Sequence, residues 1–565
     1  MVGKVRPPVR EGEEMTFESR GIVSAVFVAC AAMAVLPSSA DEAFEEMVAM
    51  PDGVKLYTVG VRPDEGVKCP IVVQRNPYLK PCKADLEAFL KSQKANLKRG
   101  YAFVMQHCRG TGMSEGDWIP YETERADGLA FLEWVRSRPW YNGEIFLLGS
   151  SYGASVHWSY LDTNPRDVKG AFLEVQEVNR YNVKFRNGFF KIGLHGGWFA
   201  KGYKKKNLNL QRDKTVRMTD FPLADFPLRY WGEQVRVFSE PLEHPDPADP
   251  YWSSASPGNG YDYRNAFKKS TMPIFLRTAF YDIYTEGISD MWRETPRERL
   301  ANCSFVISAY DHGGGVSKEM KGTLGEFPGG SRWDEGVSPV DWFDWCRSGK
   351  PFAKAKPGKM RYYSLWENKW FETDILSDGP RRVEFALGEG SRSWKYDPKR
   401  PLPDFPGSGG ICFGGMRKQP KPDFRDDVVS FVLPPLEERL DVRGRMRLRL
   451  AVSSDCEDTC FYARVSVKKP DGVWYLLRDD ITSLSRHGGD YRPGDERFVE
   501  FGFADHAFRL EKGDVLRVDV SSGCSQFAPH GNVKGLQCKV SEPKVAANSV
   551  CAGKSSLVLF VLDGN

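Results

Sequence analysis

Two serines of this chain lie at the centre of a Gly-x-Ser-x-Gly pattern, Ser114 in residues 112–116 and Ser151 in residues 149–153. A serine in this pattern attacks carbonyl carbons when it stands on a sharp turn between a strand and a helix. Ser151 has that setting, because the apolar residues 145–148 precede it and a helical pattern follows it. Ser114 lies in a loop instead. We therefore predict that Ser151 is a nucleophile and that Ser114 is structural.

A serine hydroxyl is a weak nucleophile at neutral pH and needs a base that accepts its proton. When the serine stands on such a turn, its acid and its histidine come later in the chain, in that order, after further strands. The sequence contains eight histidines. Among those that come after Ser151, His312 alone follows a strand pattern of the same sheet, residues 305–308. This position predicts His312 as the base.

The acid of the triad should directly follow the strand that precedes residues 305–308 in the sheet. Residues 274–277 form an apolar strand pattern, and Asp282 follows it. An aspartate there would hold the imidazole in the correct tautomer and stabilise the imidazolium. Asp311, Asp290 and Glu286 are the alternatives, although Asp311 is adjacent to the histidine and is poorly placed to reach round to its ring. We therefore predict Asp282 as the acid.

The tetrahedral intermediate of such a reaction carries a negative oxygen that needs hydrogen-bond donors. The backbone N–H of Tyr152, directly after the nucleophile, is one donor by its position in the motif. Residue types and spacing alone do not identify a second donor.

A sheet must bring these residues together. Residues 71–73, 101–105 and 145–148 are short apolar runs, and they alternate with helical patterns at residues 86–97 and 123–136. Strands that alternate with helices predict a mostly parallel sheet covered on both faces. The first half of the chain is therefore predicted to be an α/β domain, residues 41–350.

This alternation is interrupted at about residues 179–252, a stretch rich in aromatic residues and lysine. We interpret it as a helical cap inserted over the sheet. Whether its aromatic side chains line a substrate pocket or only pack against each other is open at this stage.

The hydrophobic period changes to two in the last third of the chain. Apolar and other residues alternate at residues 446–452, 461–467 and 516–520, without helical patterns between them. This pattern predicts an antiparallel β-sandwich. A Gly- and Pro-rich stretch at residues 349–358 precedes it, so the second domain is predicted to be residues 351–565.

The N-terminus has the layout of a secretory signal peptide. Arg20 precedes residues 21–36, which carry no charge, and the small residues 37–40 then offer a cleavage site. The uncharged stretch is shorter than the roughly 20 residues that span a bilayer. We therefore predict that residues 1–40 direct export to the periplasm or the medium; lipid attachment at Cys30 is the less favoured alternative.

Composition excludes some classes of protein. The net charge is +4, from 79 Lys and Arg against 75 Asp and Glu, which is unlike the basic surface of a nucleic-acid-binding protein. No Cys and His residues have the spacing of a zinc site, so a metal is not expected. Acyl transfer by a serine, a histidine and an aspartate needs no cofactor. The expected partner is a small-molecule ester or amide, which includes short peptides.

Several motifs resemble the family of cocaine esterases, α-amino-acid ester hydrolases and X-Pro dipeptidyl-peptidases. Arg-Asn-Pro-Tyr-x-Lys at residues 75–80 is similar to the segment whose tyrosine completes the oxyanion hole, which implies that Tyr78 is the second donor. Further similar stretches are a structural signature at 109–116, the exit from the cap at 249–252, and jelly-roll (galactose-binding-like) segments at 362–370 and 434–444. The resemblance implies an α/β-hydrolase fold followed by a jelly roll.

The family resemblance also bears on the substrate. Amino-acid ester hydrolases place acids two and three positions after the triad acid, where they hold a substrate ammonium. This chain has Tyr284 and Thr285 at those positions, and Glu286 and Glu174 are the alternative ligands for an ammonium. The expected activity is hydrolysis of a small ester or amide through an acyl-enzyme. An X-Pro dipeptidyl-peptidase is one alternative. A catalytically silent carbohydrate- or peptide-binding protein is an alternative of another class.

Overall fold

The computed structural model describes residues 41–63, 66–79, 82–202, 219–253, 263–313, 337–350, 355–403, 416 and 418–563. The predicted signal peptide, residues 1–40, lies outside the described residues. Among the described residues, no helix is both long and apolar enough to cross a membrane.

The first part of the chain contains strands β1 (Glu42–Ala49), β2 (Lys55–Arg62), β3 (Cys69–Asn76), β4 (Ala102–His107), β5 (Tyr141–Ser150), β6 (Val168–Glu174), β7 (Phe185–Arg186), β8 (Phe189–Phe190), β9 (Ile274–Tyr281), β10 (Cys303–Asp311), β11 (Met360–Ser364) and β12 (Lys369–Thr373). The helices are α1 (Leu86–Ser92), α2 (Lys94–Lys98), α3 (Glu124–Arg136), α4 (Tyr152–Trp158), α5 (Arg180–Lys184), α6 (Ile192–Gly202), α7 (Phe226–Trp231), α8 (Arg236–Ser239), α9 (Pro250–Ser253), α10 (Tyr263–Lys269), α11 (Thr285–Arg293), α12 (Arg297–Leu300) and α13 (Pro339–Ser348). The helix predicted over residues 86–97 is divided into α1 and α2 at Gln93.

The main sheet has ten strands in the order β1-β2-β4-β3-β5-β6-β9-β10-β11-β12. In this order, neighbouring strands from β4 to β11 are parallel. The pairs β1–β2, β2–β4 and β11–β12 are antiparallel. The apolar run at residues 145–148 is fully buried within β5, as expected for a central strand covered on both faces. The predicted α/β-hydrolase fold is confirmed.

The main sheet continues past the predicted domain boundary at residue 350. β11 pairs with β10 in parallel, with Met360 opposite Phe305, and β12 then folds back against β11. This pairing covers the backbone groups that β10 would otherwise expose at the edge of the sheet. Strands β11 and β12, which lie after the predicted boundary, therefore extend the main sheet.

The remaining strands are β13 (Arg381–Ala386), β14 (Ser391–Tyr396), β15 (Lys418–Gln419), β16 (Val429–Pro435), β17 (Leu440–Gly444), β18 (Arg447–Ser454), β19 (Cys460–Lys468), β20 (Trp474–Ser483), β21 (Arg497–Gly502), β22 (His506–Leu510), β23 (Val515–Ser521) and β24 (Ala546–Val561). They form a seven-stranded sheet around β24 and a five-stranded sheet around β19. All their pairings are antiparallel. The predicted β-sandwich is confirmed.

The cap lies between β6 and β9 and contains α5 to α9 and the β7–β8 hairpin. Most of its described aromatic side chains form an apolar cluster of their own, centred on Phe190, Phe226 and Phe238. Phe189 instead faces the sandwich, where its ring lies 6.2 Å from that of Phe527. The described aromatic side chains of the cap therefore mainly stabilise the cap itself. Trp198 differs, because it also contacts Trp118 and Tyr78 of the α/β domain.

Candidate active site

Ser151 stands on the turn between β5 and α4, as predicted. Its backbone has φ 54° and ψ −129°, a conformation that a residue with a side chain adopts only at an energetic cost. A hydrogen bond of 2.9 Å from its N–H to the carbonyl of Glu174 helps to fix the turn. Gly149 must be glycine, because a Cβ atom there would lie 2.2 Å from the carbonyl oxygen of Gly153. The turn therefore has the geometry of a nucleophile elbow.

The structure brings Ser151, His312 and Asp282 into one hydrogen-bonded chain. Ser151 Oγ lies 3.0 Å from His312 Nε2, and His312 Nδ1 lies 2.9 Å from Asp282 Oδ1. Asp282 also accepts hydrogen bonds from the hydroxyl of Thr278, at 2.7 Å, and from the N–H of Tyr284, at 3.1 Å. These bonds fix the carboxylate and leave Nε2 of the histidine facing the serine hydroxyl, the arrangement that general-base catalysis requires.

The other candidate acids have different partners. The ring of His312 faces Asp282 and not Asp311, which forms the last residue of β10. Asp290 accepts a hydrogen bond from Arg445 of the sandwich. Glu286 contacts Arg186 of the cap.

Ser114, in the other Gly-x-Ser-x-Gly pattern, is a buried structural residue. Its hydroxyl donates to the carbonyl of His107 at 2.9 Å and accepts from the N–H of Tyr57 at 2.9 Å. These bonds tie the loop after β4 to β2. The structure therefore agrees with the structural role predicted for Ser114.

Both proposed oxyanion donors lie beside the nucleophile. Tyr152 is the first residue of α4, where a backbone N–H has no acceptor within the helix. Tyr78 follows β3; burial raises its pKa well above the usual value, and hydrogen bonds with Trp198 and Ser151 act in the opposite direction. At neutral pH the phenol therefore keeps its proton and can donate a hydrogen bond at this site.

A buried network that the sequence did not reveal connects these two donors. The hydroxyl of Tyr152 donates to Glu124 Oε1 at 2.8 Å and accepts from the N–H of Tyr121 at 2.8 Å. Arg75 Nη1 donates to Glu124 Oε2 at 2.8 Å. Arg75 lies on β3, which leads to Tyr78, and Tyr152 begins α4. Glu124 therefore links β3 to α4, and with them the segments that supply the two donors. No motif marks Glu124, since its partners are distant in the sequence.

A cavity of about 80 Å³ reaches the triad at Asp282, and its lining includes neither Ser151 nor His312. Asp282 and Tyr284 line it from the α/β domain, Arg186 from the cap, and Asp480 from the sandwich. Glu177 also lines it, with its side chain buried and paired with an arginine. Sequence analysis missed Glu177; the available signal was its position after the carboxyl end of β6, where open α/β sheets bind ligands.

The candidate ammonium ligands named from the sequence are already paired. Glu174 accepts a hydrogen bond of 2.8 Å from Arg277 at a buried position, and Glu286 contacts an arginine of the cap. Tyr284 places its ring edge against the imidazole of the triad, 5.5 Å between centroids. Within the described parts of the chain, no group of three or more His, Cys, Asp and Glu residues is placed to hold a metal ion.

Comparison with known proteins identifies both halves of the chain. Residues 52–314 match the X-Pro dipeptidyl-peptidase (S15 family), and residues 355–556 match the X-Pro dipeptidyl-peptidase C-terminal non-catalytic domain. A Mycobacterium bovis protein named as a serine esterase is 30% identical over 74% of this chain and 74% of its own length. Cocaine esterase of Rhodococcus sp. (strain MB1 Bresler) is 24% identical over 90% of this chain and 92% of its own.

Solved structures share the whole architecture. An α-amino acid ester hydrolase superposes with a TM-score of 0.76 at 18% identity, over 95% of this chain and 99% of its own. An aminopeptidase of a Thaumarchaeota archaeon superposes with a TM-score of 0.74 at 16% identity, over 94% and 98%. At these identities the likeness describes the fold and leaves the substrate open.

Proposed function

The chain belongs to the X-Pro dipeptidyl-peptidase (S15) family of serine hydrolases, and on that premise we propose that Ser151, His312 and Asp282 hydrolyse a small ester through an acyl-enzyme. Membership of this family makes the protein an enzyme rather than a silent binding protein. The observation that carries the proposed residue roles is the unbroken hydrogen-bonded chain from Ser151 to Asp282.

The reaction has two acyl-transfer steps. His312 Nε2 takes the proton of Ser151 as Oγ attacks the carbonyl carbon, and the negative oxygen binds to the Tyr78 hydroxyl and the Tyr152 N–H. The intermediate collapses, and the protonated imidazole gives its proton to the leaving group. Water then loses a proton to the same Nε2 and attacks the acyl-enzyme. As this second intermediate collapses, the imidazolium returns that proton to Ser151 Oγ, which releases the acid and the free serine.

Two observations favour an ester over a peptide with a free amino terminus. The positions that hold acids in amino-acid ester hydrolases are Tyr284 and Thr285 here. The hydroxyl of Thr285 is used inside the protein, where it donates to the carbonyl of Asp282 at 3.0 Å. The 30% and 24% identical relatives described above are also named as esterases.

One observation keeps an X-Pro dipeptidyl-peptidase as the second candidate. Glu177 lines the cavity that borders Asp282. Burial raises the pKa of Tyr284 well above its usual value, and the carboxylate of Glu177 raises it further. That carboxylate could receive a substrate ammonium, although Arg180 lies 2.8 Å away and already neutralises much of its charge.

A panel of p-nitrophenyl esters and X-Pro p-nitroanilides distinguishes the two candidates. We expect kcat/KM for the best ester to exceed that for the best anilide by at least about 100-fold, a difference of roughly 2.7 kcal/mol in activation free energy. Ser151→Ala, assayed alongside, gives the background rate. A preference for the anilides would assign the peptidase function instead.

We also propose that the protein is exported, on the strength of Arg20, the uncharged residues 21–36 and the small residues 37–40. Full-length protein produced in a bacterium with a Sec pathway is expected in the periplasm or medium, with a mass that corresponds to a start near Asp41. Intact protein confined to the cytosol would contradict export. Replacing four apolar residues of 21–36 by lysine should abolish processing and serves as the control.

A further inference from the structure

Trp198, on the cap helix α6, contacts both residues proposed to supply the oxyanion hole. Its indole Nε1 lies 3.1 Å from the hydroxyl oxygen of Tyr78 and donates a hydrogen bond to it. Its ring lies 5.7 Å from the ring of Tyr152, measured between centroids. A residue of the cap therefore meets the donor that follows β3 and the donor that begins α4.

Aromatic side chains of the α/β domain hold the indole in this position. The ring of Trp198 lies 5.0 Å from that of Trp118, edge to face, and 6.1 Å from that of Tyr121, stacked at 25°. Trp118 and Tyr121 are themselves buried. Aromatic pairs stabilise a structure by more than their buried area alone and prefer specific ring orientations. The two pairs therefore hold the indole in the orientation that directs its N–H to Tyr78.

The hydrogen bond has a specific effect on the phenol. A tyrosine hydroxyl has one proton and two lone pairs, so an oxygen that accepts from Trp198 still has its own proton to donate. In a desolvated site, accepting one hydrogen bond strengthens the other bond that the same hydroxyl donates. Trp198 therefore turns the Tyr78 proton away from the indole and polarises it.

We propose that Trp198 is a positioning residue of the oxyanion hole, through which the cap sets the orientation and donor strength of Tyr78. This inference rests on the proposed acyl-transfer function. It also gives the cap a part in the chemistry, because the indole that donates to Tyr78 belongs to the cap helix α6.

Trp198→Phe tests the inference while keeping an aromatic ring in the cluster. The variant loses the N–H, so we expect kcat for the best ester to fall about 3- to 10-fold, the range of a single net hydrogen bond. KM should change less than twofold, since the bond acts on the transition state and not on substrate binding. Trp231→Phe is the matched control: Trp231 also belongs to the cap, and its buried Nε1 has no hydrogen-bond partner in the described structure. That variant should keep wild-type kcat.

A double-mutant cycle with Tyr78→Phe separates positioning from packing. Tyr78→Phe alone should lower kcat by about 10²- to 10³-fold, as for loss of one oxyanion donor. In that background Trp198→Phe is expected to have no further effect. The same 3- to 10-fold loss in both backgrounds would overturn the proposal and assign Trp198 to packing only.

The rate of phosphonylation by a fluorophosphonate probe gives a second readout of the same four proteins, because the attack on phosphorus also develops a negative oxygen. The rates should follow the same non-additive pattern. A wild-type protein that does not react with the probe would contradict the acyl-transfer function itself. A reactive wild-type protein with additive variants would contradict only the role of Trp198.

Discussion

Replacing His312 by alanine is expected to lower kcat for the best ester by about 10⁶-fold, the loss that removal of the general base causes in serine hydrolases. The reason is the hydrogen bond of 3.0 Å between His312 Nε2 and Ser151 Oγ. Without the imidazole, no group accepts the serine proton or protonates the leaving group. Steady-state hydrolysis of a p-nitrophenyl ester measures the effect.

His244→Ala is the matched control. His244 also has an aspartate partner, with Nδ1 2.9 Å from Asp249 Oδ2, but it belongs to the cap and its hydrogen bonds in the structure do not involve the serine. This variant should keep kcat within about twofold of wild type. If His312→Ala retained more than a hundredth of wild-type activity, the assignment of His312 as the base would be wrong.

Asp282→Asn is expected to lower kcat by about 10⁴-fold while the protein stays folded. The carboxamide oxygen of this variant would still accept one of the hydrogen bonds that Thr278 and Tyr284 donate to the carboxylate, but the side chain lacks the charge that stabilises the imidazolium. An amide N–H facing His312 Nδ1 also favours the wrong tautomer, in which Nε2 carries the proton and cannot accept one from Ser151.

The comparison for this variant is Asp249→Asn, which makes the same change in the other His–Asp pair and should leave kcat unchanged. Circular dichroism and the urea midpoint of both variants check that the fold is intact. A loss of less than tenfold for Asp282→Asn would move the role of the acid to a different residue. Asp311, adjacent to His312, would then be the next variant to measure.

The triad could be predicted from the sequence because each member has a strong local signal. Gly149 and Gly153 mark a turn that needs room, and strand patterns directly precede the acid and the base. The order serine, acid, histidine along a parallel sheet then places all three at the carboxyl ends of neighbouring strands. Few histidines compete, so position alone selects His312.

The supporting groups could not be predicted, because their partners come from distant segments without a common motif. Glu124 meets Arg75 and Tyr152 only after α3 has packed across the sheet. Trp198 meets Tyr78 only after the cap has folded over the site. Such contacts depend on side-chain packing between elements, which neither hydrophobic period nor residue type specifies.

The pairing of the two strands after the predicted domain boundary shows a second limit of the sequence pattern. The stretch at residues 349–358 has the composition of a linker, and the strand pattern after it looks the same whether it joins the first sheet or the second. The structure adds β11 and β12 to the main sheet, because β10 offers an unpaired parallel edge at that point. Pairing partners of short strands are set by such tertiary contacts and not by local propensity.

The assignment of Ser151 as the nucleophile is tested most directly by covalent labelling of the purified protein with a fluorophosphonate, beside Ser151→Ala and Ser114→Ala. Peptide mass spectrometry locates the adduct. We expect one adduct on Ser151 in the wild type, none in Ser151→Ala, and wild-type labelling in any Ser114→Ala protein that folds. A folded wild-type protein without the adduct, or an adduct on another serine, would contradict the proposal that Ser151 is the nucleophile.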